Sequence, residues 1–162
     1  MTMGFMTRCC CVLAMLGIAA CGSGAPKPVA TKLEVIAAAD LNPDREGRPS
    51  PVVYRLFQLR TEGEFAGAKY FQLHDKEKET LGASLISRDE LPAIAPGGHL
   101  LQELPVSPDT RFFGVLAGYQ DAAAQGIAVV PVPPKSIKRI LKEQRVTIRL
   151  NKAAVVLTVN EP

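Results

Sequence analysis

Val146-Thr147-Ile148-Arg149-Leu150-Asn151-Lys152-Ala153-Ala154-Val155-Val156-Leu157-Thr158-Val159 carries the plainest structural statement in the chain. Val146, Ile148 and Leu150 alternate with Thr147 and Arg149. Val155, Leu157 and Val159 alternate on the way back. A period of two places one set of side chains on one face of a strand, so each half reads as a half-buried strand. Asn151-Lys152 is the turn between them. A β-branched hairpin of this kind cannot stand alone in water and needs further strands to bury its apolar face.

Those strands lie upstream. Leu33–Ala39 is apolar enough for a first strand, and Val52–Leu59 for a second, dense in β-branched and aromatic residues. Glu90–Ala95 and Leu100–Val106 flank Pro96-Gly97-Gly98, which reads as a hairpin-like turn. Arg111–Tyr119 is apolar on both faces, with Phe113, Val115, Ala117 and Tyr119 on one and Phe112, Gly114, Leu116 and Gly118 on the other. It is expected to be central. Ile127–Val132 is a short strand stopped by Pro133-Pro134. Between the second and third strands the period changes. Phe65, Ala68, Phe71 and Leu73 or Leu81 sit at helical spacing, which predicts one amphipathic helix near Glu64–His74, with Asp75–Glu79 a solvated turn. Lys135–Glu143, with Ile137, Ile140 and Leu141 on one side, reads as a second short helix. About eight strands at this spacing, with one or two added short helices, predict a mainly β, two-sheet sandwich. Phe113, Val115, Ile148, Leu150 and Leu157 are expected to face inward.

The N-terminus is different in kind. Arg8 is the only charge before Lys27, and an apolar run follows, Val12–Ile18. It is too short to span a bilayer, which needs about 20 residues. Ile18-Ala19-Ala20-Cys21 then gives aliphatic, small, small, Cys. A basic start, a brief apolar run and a small-residue cleavage site describe a secretory signal. The cysteine makes it a lipoprotein signal, because its thiol carries the diacylglyceryl group. The expected organisation is a removed signal at 1–20, a lipidated Cys21 with a flexible tether over 21–32, and a domain over 33–162. The tether's small residues and prolines keep it open, and 22–32 reaches at most about 40 Å. Cys9, Cys10 and Cys11 fall in the removed segment, so the domain has neither disulfide nor thiol chemistry. Several acyl chains anchor stably where one does not.

Catalytic patterns are missing. There is no Gly-x-Ser-x-Gly, no His-Glu-x-x-His and no Gly-rich phosphate loop. His74 and His99 stand on different elements without ligand-type neighbours at metal spacing. No catalytic residue, metal site or cofactor is expected beyond the covalent lipid. The net charge of +3 points to neither nucleic acid nor an acidic substrate. Binding is left, and the loop Asp40–Pro51 is its best seat. Its prolines limit its freedom and it carries both charge signs. A stiff loop loses less entropy on binding than a floppy one, although a plain connection between strands has the same composition.

The run Leu41-Asn42-Pro43-Asp44-Arg45-Glu46-Gly47-Arg48-Pro49-Ser50-Pro51, followed by a strand with Arg55 and Gln58-Leu59, resembles the signature of the type VI secretion lipoprotein family (TssJ, VasD, SciN). Tyr70-Phe71 with Leu73, then Leu81-Gly82-Ala83, Pro96-Gly97 and Phe112–Asp121, resemble its later segments. The chain departs from the pattern at Tyr119-Gln120-Asp121, where the family has an aromatic followed by Arg-Asp. It departs again at Gln125–Ala128, where a Trp-Arg pair is usual. The resemblance implies a transthyretin-like sandwich that is not an enzyme, anchored to the periplasmic face of the outer membrane and bound to the periplasmic part of TssM (IcmF-like). It marks Asn42, Pro43, Asp44, Arg45, Glu46, Gly47 and Arg48 as candidate partner-binding residues. The competing expectation is a lipoprotein that holds a small ligand or cell-wall component in its sandwich, for which a closed apolar pocket would be the sign.

Overall fold

The computed structural model describes residues 27–133 and 145–160. The strands are β1 Val29–Ala37, β2 Val52–Leu59, β3 Leu85–Ile94, β4 His99–Val106, β5 Phe112–Gly118, β6 Ile127–Pro131, β7 Arg145–Leu150 and β8 Val155–Asn160. They form two four-stranded sheets, ordered β4-β1-β7-β8 and β3-β2-β5-β6. The pair β1–β7 is parallel; the other pairings are antiparallel.

The expected two-sheet sandwich is therefore present, and period-two patterning builds its core. Leu33 and Val35 from β1, Val146, Ile148 and Leu150 from β7, and Leu157 from β8 meet Tyr54 and Leu56 from β2 and Phe113 and Val115 from β5. All five residues expected to face inward do so, with Phe113 and Leu157 only 1% and 4% exposed. The central place of β5, between β2 and β6, accounts for its two apolar faces. Gln58 is the most deeply buried polar residue among the described strand residues. Its Nε2 donates to the Pro105 carbonyl at 3.0 Å, and its Oε1 accepts from the Ser107 amide and the Thr110 hydroxyl, both at 2.9 Å. A buried amide is tolerable when its hydrogen bonds are made, and these fasten β2 to the β4–β5 connection.

Three expectations need correction. The first strand begins at Val29, so Val29–Lys32, assigned to the tether, pair with Glu103–Val106; β-ladder bonds outweigh a composition that reads as linker. The single helix over Glu64–His74 is three short ones, α1 Gly63–Ala66, α2 Tyr70–Asp75 and α3 Glu77–Leu81, followed by a 3-10 turn at Gly82–Ser84. Gly67 ends α1, and Lys69 is extended at φ −85, ψ 158 before α2 starts. The supposed solvated turn thus contains α3, whose Glu77 is buried and accepts from Arg88 Nη1 at 2.6 Å. Finally, Pro96-Gly97-Gly98 does not close a hairpin. It carries the chain from β3 in one sheet to β4 in the other, with Gly97 at φ +71. The helix expected over 135–143 lies outside the described residues.

The helices seal the outer face of the β3-β2-β5-β6 sheet. Phe65, Leu73 and Leu81 pack on Phe57, Leu59 and Leu116 in a second core, and the Phe57 and Phe65 rings lie 5.2 Å apart. Gly114 makes this possible, because a Cβ there would sit 2.6 to 2.8 Å from the Phe65 ring atoms.

Strand direction gives the domain two poles. At one lie Val29, Leu59, Phe112, Pro131, Arg145 and Asn160. At the other are the segments 38–51, 95–98, 119–126 and 151–154. The first strand starts at the first pole, at Val29, and the candidate loop stands at the second.

Candidate functional site: the loop pole

The loop pole is stitched together by its own backbone. The Asn42 amide donates to the Lys152 carbonyl at 3.0 Å, the Gln125 amide to Ala153 at 2.8 Å, and the Ala117 amide to Gly126 at 2.7 Å. The Tyr119 hydroxyl donates to the Asn151 carbonyl at 3.1 Å, and burial pushes its pKa up to about 12.

Asn42 is the knot. It is only 3% exposed and sits at φ +47, a left-handed conformation that Asn tolerates better than most residues. Its Nδ2 donates to the Pro51 carbonyl at 2.9 Å and its Oδ1 accepts the Gln120 amide at 2.7 Å. Its side chain is taken up inside the protein, so it shapes the pole rather than presenting itself to a partner.

Beyond Asn42 the loop is ordered by Asp44. Its Oδ1 accepts the amides of Glu46 and Arg48, each at 2.9 Å. Arg48 Nε reaches Asp44 Oδ2 at 2.7 Å, and Arg48 Nη2 reaches Glu46 Oε2 at 2.6 Å. The Arg48 amide, foremost among these donors, holds the Asp44 carboxyl below its ordinary value of 3.8. Gly47, at φ +79, lets the chain turn back. The loop's charges are thus mostly spent on one another. Asp40 and Arg45 are the exceptions: both are exposed, and neither side chain meets a partner among the described residues. Composition read this loop as exposed throughout. The structure divides it into a scaffold of Asn42, half-buried Pro43, Asp44, Gly47 and Arg48, and a presented face led by Arg45 and Glu46.

Two hollows open to solvent here. One, of about 720 Å³, runs between the start of α2 and the 119–126 segment, with Val53, Tyr70, Phe71, Gly118, Tyr119 and Asp121 in its lining. Its floor is set by Gly118, where a Cβ would come within 2.8 Å of the Tyr70 hydroxyl oxygen. The other, of about 600 Å³, is lined by Asn42, Pro43, Asp44, Arg45, Lys152 and Ala153. They share Tyr119, Gln120 and Asp121. Sequence reasoning missed the first hollow. It placed Phe71 on the buried side of one continuous helix. The break at Gly67–Lys69 instead turns Phe65 and Leu73 inward and leaves Phe71 72% exposed. The histidines stand elsewhere. His74 stacks on Tyr70 at 5.5 Å and lies 2.6 Å from Asp75 Oδ1, and His99 Nε2 lies 3.0 Å from Glu34 Oε1.

Two four-stranded sheets, with the outer face of one sealed by short helices and open, hydrogen-bonded loops gathered at one pole, define the class as a two-sheet β-sandwich domain. The family described as Type VI secretion lipoprotein, VasD, EvfM, TssJ matches residues 29–153, and the chain belongs to it. Among solved structures it is similar to the T6SS lipoprotein TssJ1 from Pseudomonas aeruginosa, at 29% identity and a TM-score of 0.71, over 82% of this chain and 97% of that one. Serratia marcescens Lip, a membrane-bound component of the type VI secretion system, matches at 23% identity and TM-score 0.69, over 80% and 96%. A chain from a structure described as the T6SS protein TssM C-terminal domain (869–1107) from EAEC matches at 20% identity and TM-score 0.60, over 82% and 98%. The last two are likenesses of fold alone. No curated protein matches in sequence.

Proposed function

We propose that this protein is a non-enzymatic, lipid-anchored scaffold of the type VI secretion membrane complex, held by Cys21 at the periplasmic face of the outer membrane and docking the periplasmic part of TssM through the 42–48 loop. The observation that carries the reading is the arrangement of poles in a member of this family. The first strand starts at one end of the domain, at Val29, and the ordered loop with exposed Arg45 stands at the other. A membrane-held domain so oriented presents the loop to a partner arriving from the periplasm. The hollows are open rather than closed chambers, which favours scaffold over carrier.

The test is calorimetry of the soluble domain, residues 22–162, against the periplasmic part of the cognate TssM. Reversing Asp44, Arg45 and Glu46 together is a poor probe, because Asp44 holds the loop's shape. Arg45→Glu changes the presented charge and leaves the scaffold intact. It is expected to keep the fold and weaken binding, chiefly through slower, salt-sensitive association. An Arg45→Glu protein that folds and binds unchanged shows that the loop is only a connector.

A further inference from the structure

The two hollows of the loop pole are one surface with two chemistries. The α2 side is apolar and aromatic. The Tyr70 and Phe71 rings pack edge to face at 5.4 Å, and Phe71 and Val53 are 72% and 60% exposed. Phe71 and Val53 line the same hollow, beside the Gly118 floor. The other side carries cations. Arg45 and Lys152 line the same hollow, both are exposed, and neither has a side-chain partner among the described residues. Of the carboxylates in that hollow, Asp44 is paired with Arg48 and accepts two loop amides, and Asp121 accepts the Ala123 amide through Oδ1 at 2.9 Å.

Resting on the docking reading above, we infer that the loop pole takes a protein segment with a bulky apolar side chain next to an acidic residue. The apolar group seats on Val53, Tyr70, Phe71 and Tyr119; the carboxylate lies between Arg45 and Lys152. Aromatic anchors in a desolvated cleft carry most of an interface's energy, and the paired cations fix the direction in which the segment lies.

The full-length lipidated protein in mild detergent is titrated with the periplasmic part of the cognate TssM. Phe71 and Val53 are exposed, so Phe71→Ser and Val53→Ser leave the core untouched. Each is expected to weaken binding about tenfold or more without altering its salt dependence. Along Lys152, Lys152→Gln and Lys152→Glu, affinity is expected to fall stepwise, with a shallower salt dependence at each step. Wild-type binding that is indifferent to Phe71→Ser and Val53→Ser, but sensitive to Arg45→Glu, overturns the groove and leaves the docking reading standing. Absence of wild-type binding overturns both. Two further outcomes also overturn it: soluble peptidoglycan fragments bound by the wild type and lost with Phe71→Ser while TssM binding persists, or a dimer in sedimentation that Phe71→Ser dissolves.

Discussion

The side-chain carbonyl of Asn42 accepts the backbone amide of Gln120 at 2.7 Å, joining the β1–β2 loop to the β5–β6 connection across the top of the sandwich. With the Nδ2 bond to Pro51, both ends of one buried side chain are satisfied. Asn42→Ala strands the Gln120 amide and the Pro51 carbonyl and puts a less tolerant residue at φ +47. A loss of about 2–4 kcal/mol in urea unfolding is expected. Arg45→Ala, on the exposed face of the same loop, is expected to stay within about 0.5 kcal/mol of wild type. Equal effects of the two would remove the distinction between scaffold and presented face.

Gly114 and Phe65 define a second tight point. Gly114→Ala drives a methyl into the Phe65 ring inside a closed cluster, and overpacking of this kind costs about 1–3 kcal/mol. A smaller partner relieves it, so Phe65→Leu is expected to cost less in the Gly114→Ala background than alone. Additive effects in the double-mutant cycle would deny the contact.

Tyr54 lies in the main core with its hydroxyl unpartnered among the described residues, and burial pushes its pKa up to about 12. A buried donor without an acceptor destabilises, so Tyr54→Phe is expected to leave the urea midpoint unchanged or raise it. A drop of more than about 1 kcal/mol would show that the hydroxyl makes a bond.

The pH dependence follows from Asp44. Its folded-state pKa is depressed, so the loop stabilisation it gives is complete above its unfolded value of 3.8 and is lost as pH falls through the lower folded value. Asp44→Asn removes that contribution. The stability gap between wild type and Asp44→Asn is expected to be widest near neutrality and to close on the acid side. A gap that widens on acidification would reverse the assignment.

Cys21→Ser tests the anchor. The substitution is expected to abolish lipidation and to leave the chain unprocessed or soluble in the periplasm, in either case absent from the outer-membrane pellet. A serine variant that still pellets with the outer membrane would mean that the domain holds the membrane itself.

Strand identity was legible because alternation is a local property. The β7–β8 hairpin, β2 and the two-faced β5 read correctly from their own residues. What failed depends on distant partners. Pro96-Gly97-Gly98 announces a reversal, but which sheet receives the next strand is settled by pairing of β4 with β1. Val29–Lys32 read as tether because their partners lie more than seventy residues on. Asn42 reads as a surface turn residue because composition cannot reveal the Gln120 amide waiting above it. Phe71 reads as core because helical spacing holds only while the helix is unbroken.

The placement of β1 has a mechanical consequence. The strand that begins at Val29 delivers the chain, at Ala37, to the opposite pole and the loop beyond. It lies inside its sheet, with eight residues in register with β4 and six with β7. If the proposed anchor and docking loop hold, tension between them runs along this strand. Its ladder bonds lie across the pull and are loaded together in shear, rather than peeled one after another. Resistance to such a load is set by the unfolding rate, and the two ladders that flank β1 are where that rate is decided.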